Sequence, residues 1–232
     1  SAPTITGRTM AHDRLEEALC SFTGTEAAVC FNSGWSANVG LLSALLQPGD
    51  AVLSDRNNHA SIIDGIRLAR AGVTKLVHDH LDVEDLSRRL WECRDARRRF
   101  VVTDGVFSMS GSVAPLCDIL AACRSFGATL IVDDAHGLGA IGETGRGSVE
   151  HAGLTMDGII LTGSFGKALG GAAGGFVAGP REFVGNLASA SRPSMFSTTL
   201  PVFVATGVSR ALQLVEERPA LLKRLRANIE AF

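Results

Sequence analysis

Apolar residues recur along this chain in two rhythms: short solid runs, and longer stretches repeating every three to four residues, with turn residues between them. Solid runs at 27–31, 51–53, 73–77, 100–103, 129–132, 159–161 and 176–178 predict seven strands. The helical rhythm predicts helices at 12–22, 35–46, 61–71, 83–91, 116–126, 182–190 and 202–216, and an amphipathic pattern runs through 219–232. Pro48-Gly49 stops the second helix, and Pro201 opens the seventh. Strands separated by helices call for an α/β fold: a mostly parallel seven-stranded sheet with helices on both faces, an α/β/α three-layer sandwich. Ligands in such folds gather at the carboxyl ends of the strands.

Polar residues cluster at those ends. The strand at 27–31 runs into Asn32-Ser33-Gly34-Trp35, where a glycine bares the first helix amides as a cradle suited to phosphate. The next strand ends lead to Asn57-Asn58-His59-Ala60-Ser61, Asp104-Gly105-Val106-Phe107-Ser108 and Asp133-Asp134-Ala135-His136. Singly, a histidine after a strand more often packs or caps than reacts, and Asp133 could cap its own turn. A fifth loop makes coincidence a poor account, because it holds Lys167 among glycines between the runs 159–161 and 176–178. Lys75 and Lys223, the other two lysines, lie in ordinary polar contexts, whereas almost no charge lies within a dozen residues of Lys167. That favours a neutral, nucleophilic amine if the loop is buried. A surface lysine in a glycine loop is the plainer alternative.

Composition narrows the classes. At 232 residues, 46% hydrophobic and 20% charged, the chain can bury the core of one large α/β domain. A net charge of -2 gives no general attraction to nucleic acid or an anionic membrane, and the basic run at 94–99 most simply caps a helix C-terminus. Five cysteines without CxxC spacing read as reduced core thiols, and nothing suggests a metal site. With no bilayer-length apolar run and no signal-peptide pattern, a soluble, cytoplasmic protein is expected. The chain opens like a loop met midway and stops inside a helical pattern, as a fragment would.

Rival motifs fail on context. Gly137-Leu138-Gly139-Ala140-Ile141-Gly142 satisfies G-x-G-x-x-G, which raises an NAD-dependent oxidoreductase. Four residues, three of them polar, however, separate it from the strand, no helix start follows, and the next strand ends in Thr162-Gly163 rather than a ribose-holding acid. Gly166-Lys167 lacks the other P-loop residues, and no G-x-S-x-G occurs.

Six motifs in one order carry a resemblance: Phe31-Asn32-Ser33-Gly34-Trp35-Ser36-Ala37-Asn38, Asn58-His59-Ala60-Ser61, Thr103-Asp104-Gly105-Val106-Phe107-Ser108-Met109, Val132-Asp133-Asp134-Ala135-His136-Gly137, Gly142-Glu143-Thr144-Gly145-Arg146-Gly147 and Gly166-Lys167-Ala168-Leu169-Gly170. From about Gly7 onward the chain resembles the α-oxoamine synthases, pyridoxal 5'-phosphate enzymes of the aspartate-aminotransferase fold type I. The resemblance implies a decarboxylative Claisen condensation of a small amino acid, alanine or glycine, with an acyl-CoA. It also implies roles. Lys167 would hold the cofactor as a Schiff base and remove the α-proton, while Asp133 would pair with the pyridine nitrogen. His136 and Ser108 would bond the ring oxygen, and His59 would stack on the ring face. Gly34, Trp35 and Ser164 would hold the phosphate, and Thr198 would reach the phosphate of a partner subunit in a homodimer.

Departures from the family pattern are mild: Ser164 stands where threonine is usual and Trp35 where Tyr or Phe is commoner. Family members continue on both sides of such a chain and bring a carboxylate-binding arginine from a C-terminal domain. Residues 1–232 are therefore expected to be the large cofactor-binding domain of a longer enzyme, and alone to turn over little. The motif around His59 and Lys167 leans to glycine C-acetyltransferases, and Asn32-Ser33-Gly34 with Ala135-His136 leans to 8-amino-7-oxononanoate synthases of biotin synthesis, the preferred branch. Serine palmitoyltransferase-like and polyketide-associated branches stay open. A catalytically dead partner subunit is disfavoured because Lys167 is intact.

Overall fold

Seven strands form one sheet in the computed structural model, which describes residues 1–170 and 173–232. Gly171 and Ala172, part of the glycine loop singled out above, lie outside the described residues. The strands are β1 (Ala27–Phe31), β2 (Ala51–Asp55), β3 (Thr74–His78), β4 (Arg99–Asp104), β5 (Ala128–Asp133), β6 (Ile159–Ser164) and β7 (Gly175–Gly179), in the order β1-β7-β6-β5-β4-β2-β3. The pairs from β3 through β6 are parallel, and β7 runs antiparallel to both β6 and β1. A mostly parallel sheet is thus observed, with one reversal that solid apolar runs cannot signal.

Side-chain alternation divides the apolar residues into two cores. Leu53, Val101, Leu130, Val132, Leu161 and Phe176 face one side, under α1 (Met10–Thr23), α4 (Val83–Glu92), α5 (Leu116–Ser125) and α9 (Val202–Glu217). Val52, Phe100, Val102, Ile131, Ile160 and Val177 face the other, under α2 (Gly34–Leu45), α3 (Ala60–Arg67) and α7 (Arg181–Ala190). Three layers result, as expected. Short α6 (Ser148–His151) and α8 (Arg192–Phe196), and a helical turn at Pro3–Gly7, were not expected; α10 (Pro219–Ala231) follows α9.

Two sequence expectations change. The basic run does more than cap: Arg94 donates to the Trp91 carbonyl, but Arg97 and Arg98 both clasp the fully buried Asp50, joining the starts of β2 and β4. The cysteines are free, yet Cys117 is exposed rather than in the core. Among the described residues, no helix is long and apolar enough to cross a membrane, and no metal-ligand cluster occurs.

Candidate active site

The carboxyl ends of β1, β2, β4, β5 and β6 share one edge of the sheet, where they surround a cavity of about 250 Å³. Gly34, Trp35, His59, Asp133, His136, Ser164 and Lys167 all line it, as do Asn38, Ser61 and Asp104.

One end is the start of α2. Ser33 caps the helix, its hydroxyl accepting from the Ser36 amide at 3.0 Å, which leaves the first amides of the helix facing the cavity. Close packing puts that start against the strand ends. A Cβ on Gly34 would stand 3.0 Å from Ser164 Cβ, and one on Gly175 would stand 2.6 Å from the Gly34 backbone. The bare cradle is therefore made by glycines on neighbouring elements, with the Ser164 hydroxyl beside it.

The floor is acidic. Asp133 is 6% exposed; its Oδ1 accepts from the Ala135 amide at 3.0 Å and its Oδ2 from Asn38 Nδ2 at 2.6 Å. It caps its own turn and still faces the cavity. Asp104 lies opposite it in the β4–β5 register, and among the described residues its carboxyl has only a long 3.5 Å contact from the His59 amide. Burial, and then the charge of Asp133, push the Asp104 carboxyl up to about 8, so it holds its proton at neutral pH. Of the two, Asp133 has the hydrogen bonds that suit an anion.

Imidazoles and the lysine form the walls. His59 caps α3, is exposed at the cavity, and its ring makes a T-shaped contact with Trp35 at 5.9 Å between centroids. Burial, and then the nearby Lys167 charge, push the His136 imidazole below its ordinary value, so it is neutral near pH 7. Lys167 itself is exposed at the cavity, which corrects the expectation of a secluded amine: the glycine loop presents the side chain rather than enclosing it.

Two expected residues lie elsewhere. Ser108 is exposed on the turn after β4 and does not line the cavity, where Val106 stands instead. Thr198 lines a separate cavity of about 300 Å³ beside Arg8, His12 and Glu16, and its carbonyl accepts from the Asn32 side chain. Gly137, which opens the G-x-G-x-x-G run, has another use, shared with Gly147 beyond the run. Gly137 and Gly147 close over buried Asp134, where a Cβ would come within 2.1 and 1.8 Å of its carboxyl oxygens. Burial pushes Asp134 up to about 7; Ser148 donates its amide to Oδ2, and Oδ1 has no hydrogen-bond partner among the described residues. The three glycines of the run pack against Asp134, Leu169 and Glu150 in turn rather than forming a pyrophosphate cradle.

Sequence reasoning assigned no role to Asn38, Ser61 or Asp104. Asn38 had a signal: four residues after Gly34, it looks from the same face of α2. As a donor set, helix amides, a carboxylate, a flat imidazole and an amine fit an anionic aromatic aldehyde such as pyridoxal phosphate, and the glycine cradle leaves room at the anionic end.

The family model for aminotransferase class I and II matches residues 3–232. The chain is 45% identical to an 8-amino-7-oxononanoate synthase of Exiguobacterium sibiricum, over 100% of this chain and 59% of that protein. It is 44% identical to the mitochondrial 2-amino-3-ketobutyrate coenzyme A ligase of Mus musculus, over 98% of this chain and 54% of that one. A solved serine palmitoyltransferase from S. paucimobilis, with a bound PLP-myriocin aldimine, is similar with a TM-score of 0.93 at 33% identity, over 98% of this chain and 56% of that one. The chain thus spans less than two thirds of the length of each.

Proposed function

The chain belongs to the aminotransferase class I and II family, in its α-oxoamine synthase branch, and from that premise we propose that it binds pyridoxal 5'-phosphate and joins a small amino acid to an acyl-CoA with loss of carbon dioxide. Residues 1–232 would be the cofactor-binding domain of that enzyme. The observation that carries the proposal is the single cavity in which Lys167, Asp133, His136 and His59 face the start of α2.

Bound there, pyridoxal phosphate supplies an electron sink for a carbanion at the amino-acid Cα. The residues supply the rest. The amides of Gly34 and Trp35, with the Ser164 hydroxyl, bind the phosphate, and Asp133 holds a proton at the pyridine nitrogen. Neutral His136 offers one hydrogen bond to the ring oxygen, and the His59 ring covers a face. The protonated Asp104 spares the floor a second negative charge beside Asp133. Lys167, exposed at the cavity, would anchor the cofactor and take the α-proton.

The preferred substrates are those of the 8-amino-7-oxononanoate synthases, alanine and pimeloyl-CoA; the similar identity to a 2-amino-3-ketobutyrate ligase supports glycine with acetyl-CoA as the second reading. A homodimer with a shared site is part of the proposal. Its support is that Thr198 lies outside this cavity while Phe196 and Phe203, 70% and 79% exposed, flank it with apolar surface. Five free cysteines support a reducing, cytoplasmic setting.

The test is fixation. Full-length protein mixed with pyridoxal phosphate and borohydride is expected to carry the label on the Lys167 peptide by mass spectrometry, and Lys167→Ala is expected to carry none. Labelling elsewhere, or none in the wild type, overturns the proposal. Assays pairing alanine or glycine with pimeloyl- or acetyl-CoA then separate the two substrate readings.

A further inference from the structure

Asn38 is a junction in the cavity wall. It is 4% exposed, and each end of its amide has its own partners. Thr162 Oγ1 donates to Oδ1 at 2.8 Å; Nδ2 donates to Asp133 Oδ2 at 2.6 Å and to Ser61 Oγ at 2.9 Å. The orientation follows from the partners: the nitrogen faces the Asp133 oxygen and the carbonyl faces the Thr162 hydroxyl. The carbonyl end then takes the Thr162 proton. Ser61 accepts from Asn38 and keeps its own proton to give, and His59 Nδ1 lies 2.7 Å from its oxygen. The Ser61 backbone amide donates to that same nitrogen at 3.2 Å. Nδ1 thus faces two donors, so it carries a lone pair and the ring proton sits on Nε2.

We propose that Asn38 is a positioning residue that orients Asp133 and, through Ser61, fixes His59 as the neutral Nε2–H tautomer. One neutral amide thereby ties together residues on α2, β5, β6 and the start of α3. Being uncharged, it holds the carboxylate without neutralising it. The consequence for pyridoxal phosphate rests on the cofactor reading above: the acid at the ring nitrogen and the imidazole on the ring face would be kept in register by the same side chain. The direction of the hydrogen-bond chain needs no cofactor.

Ring-nitrogen NMR of the full-length protein without cofactor tests that direction. The His59 signals, identified by their loss in His59→Gln, are expected to show Nδ1 unprotonated and Nε2 protonated near neutral pH; the reverse tautomer overturns the proposal. Asn38→Leu, close in volume, is expected to move those signals, to shift the pH midpoint of the bound cofactor's absorbance, and to weaken its binding by about tenfold or more. Thr162→Val, which alters no cavity-lining side chain, is expected to move signals and midpoint in the same direction, and Thr162→Ser to restore them. If both Asn38→Leu and Thr162→Val leave signals and midpoint unchanged, the positioning role is wrong. Failure of the wild type to fix cofactor on Lys167 sinks the cofactor reading alone and leaves the tautomer result to be judged separately.

Discussion

Asp104 and His136 line one cavity yet answer to pH in opposite senses. A free aspartate titrates near 3.8 and Asp104 in the fold near 8, so between those values the folded chain keeps a proton that the unfolded chain has released. Its contribution to stability is full below that window and is lost as pH rises through it. Asp104→Asn is expected to remove this loss: comparing urea midpoints from pH 5 to 8.5, the variant should gain on the wild type as pH rises, by up to a few kcal/mol, on the order of 1 kcal/mol per unit. Asp134, raised to about 7 by burial, acts in the same sense and keeps part of the slope in both proteins. His136 is lowered, so its contribution is present above about 6.5 and is lost as pH falls through its folded value. For catalysis, Lys167→Ala is expected to cut turnover of the full-length enzyme by more than about 10²–10⁴-fold, since it removes both the anchor and the base. Gly34, His59, Asp133, His136, Ser164 and Lys167 were legible in sequence as candidates because each ends or follows a strand, and strand ends share an edge. Asn38, Ser61 and Asp104 were given no role because pattern does not say which side chains of a helix or strand look back into the cavity. Ser108 misled for the converse reason: it follows a strand, but its turn carries it outward.

Among the elements, the inner strands were read well because β2, β4 and β6 are short runs buried on both faces, as a parallel sheet requires, whereas β3 at the edge is largely exposed. The reversal of β7 was not, since alternation and burial are alike in either direction. Four- and five-residue helices such as α6 and α8 hold too few turns to show a repeat, and α3 ends at Arg67 where periodicity carried it to residue 71. The contact between α2 and the strand ends yields a graded prediction. Gly175→Ala sets a Cβ 2.6 Å from backbone and is expected to cost about 1–3 kcal/mol, measured by thermal unfolding. Gly34→Ala meets a side chain at 3.0 Å and is expected to cost less stability but to weaken cofactor binding. At the opposite end of the sheet, Asp50→Ala is expected to cost about 1–3 kcal/mol, because the Gln47 amide and two guanidinium groups lose their shared acceptor.

On the scale of the molecule, the sheet is a partition: alternate residues of one strand serve different cores, and the site sits where the partition ends. If the site is shared between copies, Phe203→Asp should shift the full-length protein toward monomer in sedimentation and lower cofactor affinity with it; an unchanged dimer would show that this surface is not the contact. The strand order also bears on how the molecule is made. In the sheet β1 pairs only with β7, Ala27 opposite Gly179, roughly 150 residues later, and α1 packs on α9, later still. A ribosome releasing the chain from its N-terminus exposes β1 and the apolar face of α1 long before either partner exists. Closing that edge is a late, long-range event, and until then an unpaired strand and a bare helix face invite misassociation. The cavity inherits the delay, because its α2 wall packs on Gly163 of β6 and Gly175 of β7: that end of the cavity is not seated until the last strand docks.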